Sequence, residues 1–253
     1  MWEISLNLLS ENIALGNILL KAIIPPIQEL GGVVTKNEDN GYFSILVGVS
    51  ERDKHQVSMI LSSCIIELIC TNFKLDFLNK HLFLPEHDKI GMTAFKKALL
   101  NFDKETDKFI IRKNLNLDQD VFIESFYHFR LKPLQDKWAE LVALSNENRD
   151  YLISSESFID LLKFLIDNLD ICEDEISIVK EDEGYKIFLH EDQQYENRVF
   201  NDESMISSVI DLSPQKINLY FKESSNAINL IKQIFEERVS VVSAAPCILR
   251  KKH

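Results

Sequence analysis

The residues of this sequence best placed to do chemistry lie near its C-terminal end. Lys222, Ser224 and Ser225 separate the apolar segment KINLYF from an amphipathic pattern that starts at about residue 226. If KINLYF is a strand, these three residues lie at the N-terminus of the next helix, where free backbone N–H groups favour an anion. Open α/β sheets usually bind ligands at the carboxyl ends of their strands. The sequence therefore offers a candidate anion site or small-ligand pocket here.

The turn that would bind the anion lacks the usual phosphate motifs. The turn from Lys222 to Asn226 contains no glycine, so it has neither a dinucleotide fingerprint nor a phosphate-binding loop.

A candidate nucleophile lies further along the chain. Cys247 follows the apolar segment VSVV and is a nucleophile by type, but activation of a thiolate needs a basic partner or a helix terminus. No histidine is fixed beside it by the sequence, so an ordinary cysteine is the favoured interpretation.

A second candidate contact site lies in the segment FYHFRLK. Arg130 and Lys132 are two cations in a short stretch that could bind an anion or a protein partner. For Arg130, pairing with a nearby acid such as Glu124 or Asp136 is favoured over binding a phosphate. The exposed sides of the helices predicted between 120 and 145 are the expected contact region.

The groups of potential metal ligands and of acidic residues in the sequence are weaker indicators of a functional site. Glu86, His87 and Asp88, with His81 nearby, have nitrogen and oxygen ligands of suitable type, but their spacing matches no metal motif and fits a solvated loop. The acidic runs 173–175 and 181–183 have the paired carboxylates that a hydrolase needs, yet they lie at predicted turns. We therefore predict no catalytic residue, no metal and no cofactor.

Composition restricts the partners and the compartment. Against 28 Lys and Arg the chain has 40 Asp and Glu, a net charge of −12 over 253 residues, which disfavours nucleic acid. The apolar run from Val57 to Cys70 is too short to span a bilayer, and that from Ile13 to Ile27 is interrupted. The four cysteines have no metal spacing, and no signal peptide is recognised. We expect a cytoplasmic protein without a membrane span.

The hydrophobic periodicity predicts the elements that position these residues. An N-terminal β-α-β-β-α unit (1–85) precedes a helical middle (86–170) and a C-terminal unit (171–253) that combines a β-hairpin with a strand-helix-strand. The fold class is α+β. Pro25 and Pro26 should bend or end the first helix, and Ser50 to Asp53 has a capping-box pattern. Phe122, Phe126 and Phe129 are expected on the buried face of one helix.

Three segments resemble the YtxC family of sporulation proteins. The first carries Phe129, Arg130, Leu131 and Lys132, which match its F-R-L-K pattern, and the second is the helix ESFIDLLKFLIDNLD with the strand after it. The third is the C-terminal LSPQKI and IFEERV, which match at Leu212, Pro214, Lys216, Ile217, Ile234, Phe235, Arg238 and Val239. Members commonly carry several cysteines in the tail, where this sequence has Cys247 alone.

The resemblance implies a setting in endospore-forming bacteria but no established biochemical activity. Together with the lack of an assembled active site in the sequence, it favours a protein-binding or structural component that has no catalytic role and a partner still to be identified. A small-ligand or anion-binding protein, or an enzyme with its pocket at the C-terminal strand ends, is the alternative.

Overall fold

The computed structural model describes residues 1–83, 89–147, 155–189 and 193–242. The chain divides into two compact units, each built from two separate stretches of sequence. Unit 1 consists of Met1–Leu82 with Lys104–Leu144, and unit 2 consists of Phe83–Asp103 with Ser145–His253. The α+β fold class is confirmed, since each unit combines helices with one sheet.

Unit 1 is built on a four-stranded sheet of order β2-β3-β1-β4. Its elements are β1 (Trp2–Leu9), α1 (Ile13–Glu29), β2 (Val33–Asp39), β3 (Tyr42–Val49), α2 (Lys54–Leu68), α3 (Lys74–His81), α5 (Lys104–Asn114), β4 (Val121–Phe122), α6 (Ile123–Ser125) and most of α7 (Lys132–Glu147). Alternate side chains of β1 and β3 are buried, as a sheet with one face in the core requires. The predicted β-α-β-β-α order is confirmed.

Local sequence explains the β2–β3 hairpin. Asn40 and Gly41 form its two-residue turn with φ of 51° and 81°, and two positive φ values identify the turn type whose twist matches antiparallel strands. The neighbouring helices depart from expectation. Helix α1 continues through Pro25 and Pro26 to Glu29, and the side chain of Ser50 caps no backbone N–H group.

Unit 2 is built on a five-stranded mixed sheet of order β7-β6-β5-β8-β9. Its elements are α4 (Lys89–Asn101), α8 (Ser155–Asp167), β5 (Glu173–Glu181), β6 (Gly184–Leu189), β7 (Gln193–Gln194), α9 (Asp202–Leu212), β8 (Pro214–Leu219), α10 (Asn226–Phe235) and β9 (Val239–Val241). The predicted β5–β6 hairpin is confirmed. The predicted strand-helix-strand is also confirmed, because β8 and β9 pair in parallel across α10.

The segment 86–170, predicted as a helical middle, is divided between the two units. Helix α4 packs with α8 and α9 in unit 2, whereas α5 packs with α2 in unit 1. The break between α4 and α5 occurs at Phe102 and Asp103, where Asp103 has a φ of 54°. Each helix therefore buries its apolar face in a different core.

One continuous helical run has the length and hydropathy of a membrane span. It extends over Glu51–His81, and 39% of its most apolar window is buried within the protein. A core helix of a soluble protein meets the same criteria, so this run does not indicate where the protein resides. In unit 1, Leu61 and Ile65 of this run are fully buried in the core that contains β1 and β3.

Candidate protein-contact site

The segment between β4 and α7 changes its backbone geometry twice within ten residues. After the two-residue strand β4 comes the single turn α6, followed by a π-helical turn over Phe126–Arg130, and then α7. A π-helical turn contains more residues per turn than an α-helix, so it rotates the following side chains out of phase. Leu131, directly after this turn, faces the core, while Phe129 within it is 81% exposed. Phe122 precedes the turn, in β4, and is 43% exposed. The expectation that all the phenylalanines here are buried is wrong for these two.

Hydrogen bonds attach this segment to the rest of unit 1. The buried Glu124 accepts at Oε1 from the backbone N–H of Leu9 at 3.1 Å and from Nδ2 of Asn12 at 2.7 Å. On the other side, Nε2 of Gln135 donates to the carbonyl oxygen of Tyr127 at 2.7 Å. These bonds join the turn to the end of β1 and to the first turns of α7, so the exposed side chains are held on a fixed backbone.

An aromatic cluster lies beneath the π-helical turn. The ring of Tyr127 is 4.9 Å from that of Phe73 and 6.1 Å from that of Trp138, measured between centroids. Phe73 itself closes a second π-helical turn, Ile69–Phe73. The two π-helical turns of unit 1 thus meet through packed aromatic rings, which are apolar enough to stabilise the segment from within.

A buried ionic cluster supports the same region. Asp107 is fully buried, and its Oδ2 accepts from Nζ of Lys74 at 2.8 Å and from Nε1 of Trp138 at 3.0 Å. Its Oδ1 accepts from Nζ of Lys137 at 2.6 Å. Burial lowers the pKa of Lys74, although the charge of Asp107 opposes this, and burial raises the pKa of the Cys70 thiol to about 12. A protonated, buried thiol is a poor nucleophile. The cluster is therefore suited to stabilising the fold and not to nucleophilic chemistry.

A cavity of about 400 Å³ lies beside the exposed phenylalanines. Its apolar wall consists of Leu115, Val121, Phe122, Phe126 and Phe129, and its polar wall of Asn114, Asn116, Gln119, Asp120, Ser125 and Arg130. Both residues of β4, Val121 and Phe122, are among the lining residues. Six of the eleven lining residues are polar, so the cavity combines apolar side chains with groups that can form hydrogen bonds.

The structure separates the two cations of the FRLK motif. Lys132 is 3.1 Å from Asp136 in an exposed ion pair and does not line the cavity. Arg130 lines the cavity, is exposed, and forms no ion pair or hydrogen bond with any residue that the structure describes. The alternative pairing of Arg130 with Glu124 or Asp136 is therefore not formed. His128 is exposed as well.

The candidate anion site in unit 2 has a different environment from that expected. Ser225 lies at the N-terminus of α10, as predicted, and caps it, since its Oγ accepts from the N–H of Ile228 at 3.3 Å. The same hydroxyl donates to Oδ1 of Asp202 at 3.0 Å and accepts from the hydroxyl of Tyr185 at 3.2 Å. A carboxylate thus already occupies the position where an anion would approach this hydroxyl.

The other members of that candidate site are exposed. Lys222 and Ser224 are solvent-accessible, and the hydroxyl of Ser224 is hydrogen-bonded to Asn229. The neighbouring Glu223 forms an ion pair with Lys180, so its charge is compensated. The carboxylate of Asp202 at the Ser225 hydroxyl is therefore the charge that disfavours an anion there.

Some predicted residues lie outside the part of the chain that the structure describes, namely Cys247 and the run Glu86, His87 and Asp88. His81 is described: its Nδ1 is 2.8 Å from the carbonyl oxygen of Phe77, and its ring stacks on that side chain. Across the described ranges 1–83, 89–147, 155–189 and 193–242, no three His, Cys, Asp or Glu side chains are grouped as a metal site would require.

These features define a class: a two-unit α+β protein with a fixed, exposed aromatic and cationic surface on unit 1. The YtxC-like family model matches residues 55–240, which include this surface and most of unit 2. The chain belongs to the YtxC-like family. No curated protein and no solved structure matches the chain.

Sequence reasoning did not find the cluster of Lys74, Asp107 and Trp138. Asp107 lies in the first turn of α5, where an acid is ordinary, and nothing in the sequence pairs it with a lysine 33 positions earlier. A weak signal was available, because Lys74 follows the longest apolar run of the chain and continues its helix. Charged residues in such a position are paired when they are buried.

Proposed function

We propose that the protein is a cytoplasmic component of sporulation that has no catalytic role and acts by binding another protein. The contact surface is formed by Phe122, Phe129 and Arg130 on unit 1. Membership of the YtxC-like family supports the sporulation setting, in which the resemblance places this family. The exposure of Phe129 supports the binding role, because burying so large an apolar side chain in a partner is favourable by about 1.5–3 kcal/mol.

The observation that carries the proposal is the contrast within one short motif. Leu131 is buried in the core and Lys132 has its own ion pair, whereas Phe129 and Arg130 point outward beside a cavity. Aromatic residues and arginine dominate the energetics of protein interfaces. The backbone that carries both side chains is fixed before binding, so association does not have to order it.

Affinity capture from sporulating cells tests the proposal. The wild-type chain should recover a specific partner, and the double variant Phe129→Ser, Arg130→Gln should lose it. A matched control is Phe109→Ser, Arg52→Gln, which changes an exposed phenylalanine and an exposed arginine of unit 1 that do not line the cavity. Equal recovery of the partner by the wild-type chain and by Phe129→Ser, Arg130→Gln would contradict the proposed surface.

A further inference from the structure

We infer that the cavity beside Phe129 binds an acidic peptide segment of the partner that carries one bulky apolar side chain. This inference rests on the proposed function and specifies the chemistry of the partner. It follows from three properties of the cavity: its charge, its apolar wall and its position at the edge of the sheet.

The charge around the cavity is the reverse of that of the whole chain. Arg130 lines the cavity, and Arg112 and Lys113 lie two residues and one residue before its lining residue Asn114; all three are exposed. None of them forms an ion pair with a described residue, although the chain carries a net charge of −12. Unpaired cations in an acidic protein are complementary to a carboxylate, which the planar guanidinium of an arginine can bind through two hydrogen bonds.

The acids near the cavity do not cancel this charge. Asp120 lines it, but its Oδ1 accepts a hydrogen bond from the backbone N–H of Ser5 at 2.8 Å. Asp118 is 3.2 Å from Nζ of Lys54. Glu124 is buried and is directed to Leu9 and Asn12. A hydrogen bond from a neutral N–H leaves the charge of Asp120 in place, so this one lining carboxylate stands against the three exposed cations Arg130, Arg112 and Lys113.

The apolar wall accounts for the second feature of the ligand. Phe122 and Phe129 are exposed by 43% and 81%, and Phe126 and Val121 close the wall behind them. A volume of about 400 Å³ lies at the small end of the range for ligand pockets, so it accommodates a side chain with adjacent peptide better than an extended surface.

The position of the cavity favours an extended segment. Strand β4 is the last strand of the sheet, and both of its residues, Val121 and Phe122, line the cavity. Extended peptides commonly bind at edge strands, where main-chain hydrogen bonds supply affinity and side-chain pockets supply specificity. A segment that enters the cavity would contact the lining residues Phe122 and Arg130.

Selection of random peptides displayed on phage, with the full chain as the immobilised target, tests the inference. The enriched peptides should share Asp or Glu near an aromatic or large aliphatic residue. Their affinity should fall about tenfold or more in Arg130→Gln, because a charge-assisted hydrogen bond is lost. The control Arg52→Gln should leave their affinity unchanged, and added salt should weaken binding to the wild-type chain.

Several results would overturn the inference. One is the enrichment of peptides without carboxylates, or of no peptide at all. Another is equal affinity of the enriched peptides for Arg130→Gln and for the wild-type chain. A third is a concentration-dependent dimer that Arg130→Gln abolishes, which would place a second copy of the chain in the cavity. If the cellular partner is still captured through Phe129 and Arg130, only the acidic chemistry is wrong. If capture also fails to depend on them, the proposed function fails with it.

Discussion

The fully buried Asp107 is the most consequential single residue in unit 1. It compensates the charge of Lys74, which is 1% exposed, and it also holds Lys137 and Trp138. Taking two opposite charges out of water costs several kcal/mol, and their attraction offsets that cost only while both partners are present. The intact cluster therefore adds little net stability, whereas removal of one partner destabilises the fold because the other charge stays buried alone.

Asp107→Ala should reduce the free energy of unfolding by about 3–5 kcal/mol, because it leaves the Lys74 ammonium buried without its counter-charge. Denaturant-induced unfolding measures this. Asp76→Ala is the matched control, since Asp76 pairs with Lys80 at 2.7 Å on an exposed helix surface. That control should cost only about 0.5 kcal/mol. Similar losses in the two variants would contradict the assignment.

Cys70 predicts a specific dependence of stability on pH. Burial is the main cause that raises its pKa from 9.0 to about 12, and the charge of Asp107 adds to it. Above pH 9 the unfolded thiol ionises while the native thiol keeps its proton, so the native state loses stability as pH rises. The contribution is about 1.4 kcal/mol per pH unit.

Comparison with Cys70→Ala isolates this group, because Tyr127 and Lys74 titrate in both proteins. The pKa of Lys74 is lowered, so its own contribution has the opposite sign and increases stability as pH rises towards 10.5. The stability advantage of wild type over Cys70→Ala should be constant below pH 9 and should decrease above it. An advantage that stays constant through alkaline pH would show that the native thiol ionises normally.

At the scale of elements, the sequence predicts those helices and hairpins that have a clear turn signal or a clear hydrophobic periodicity. The β2–β3 hairpin follows from Asn40-Gly41, and the β5–β6 hairpin from a turn that ends at Gly184. This glycine has a φ of 151°, and a Cβ atom there would lie 2.4 Å from the carbonyl oxygen of Phe200. Helix α10 with its Ser225 cap follows from the same kind of local signal.

The contact segment could not be predicted in the same way. Between Val121 and Arg130 the chain passes from a strand to a single helical turn and then to a π-helical turn, and none of these is long enough to show its period. Strand β4 exists because it pairs with Leu6 and Asn7, which lie over one hundred positions earlier. Tertiary pairing of this kind decided which phenylalanines are exposed.

The division of unit 1 between two stretches of chain predicts how fragments behave. The predicted N-terminal unit, 1–85, lacks the core residues Ile111, Val121, Ile123, Tyr127 and Trp138. We expect a 1–85 fragment to unfold without a cooperative transition in denaturant. The control is Met1–Leu144 with 83–103 replaced by a Gly/Ser linker of equal length, which keeps all of unit 1 and should unfold cooperatively. A cooperative 1–85 fragment would favour the sequence-based boundary.

At the scale of the whole molecule, two units with separate cores carry one surface that fits a binding role. Net charge and composition alone indicated an acidic globular protein, and the family match assigns it to the YtxC-like family. Neither composition nor family membership specifies where a partner binds. We propose the surface formed by Phe129 and Arg130 as that location, because both side chains are exposed on a backbone fixed by Glu124 and Gln135.

The most direct test of this account is the titre of heat-resistant spores in an endospore-forming host whose own gene is replaced by each variant. The double variant Phe129→Ser, Arg130→Gln should lower the titre to that of a deletion strain, while the amount of folded protein stays at the wild-type level. Phe109→Ser, Arg52→Gln should sporulate as wild type does. A wild-type titre from the double variant, in a host where deletion lowers the titre, would contradict the central claim.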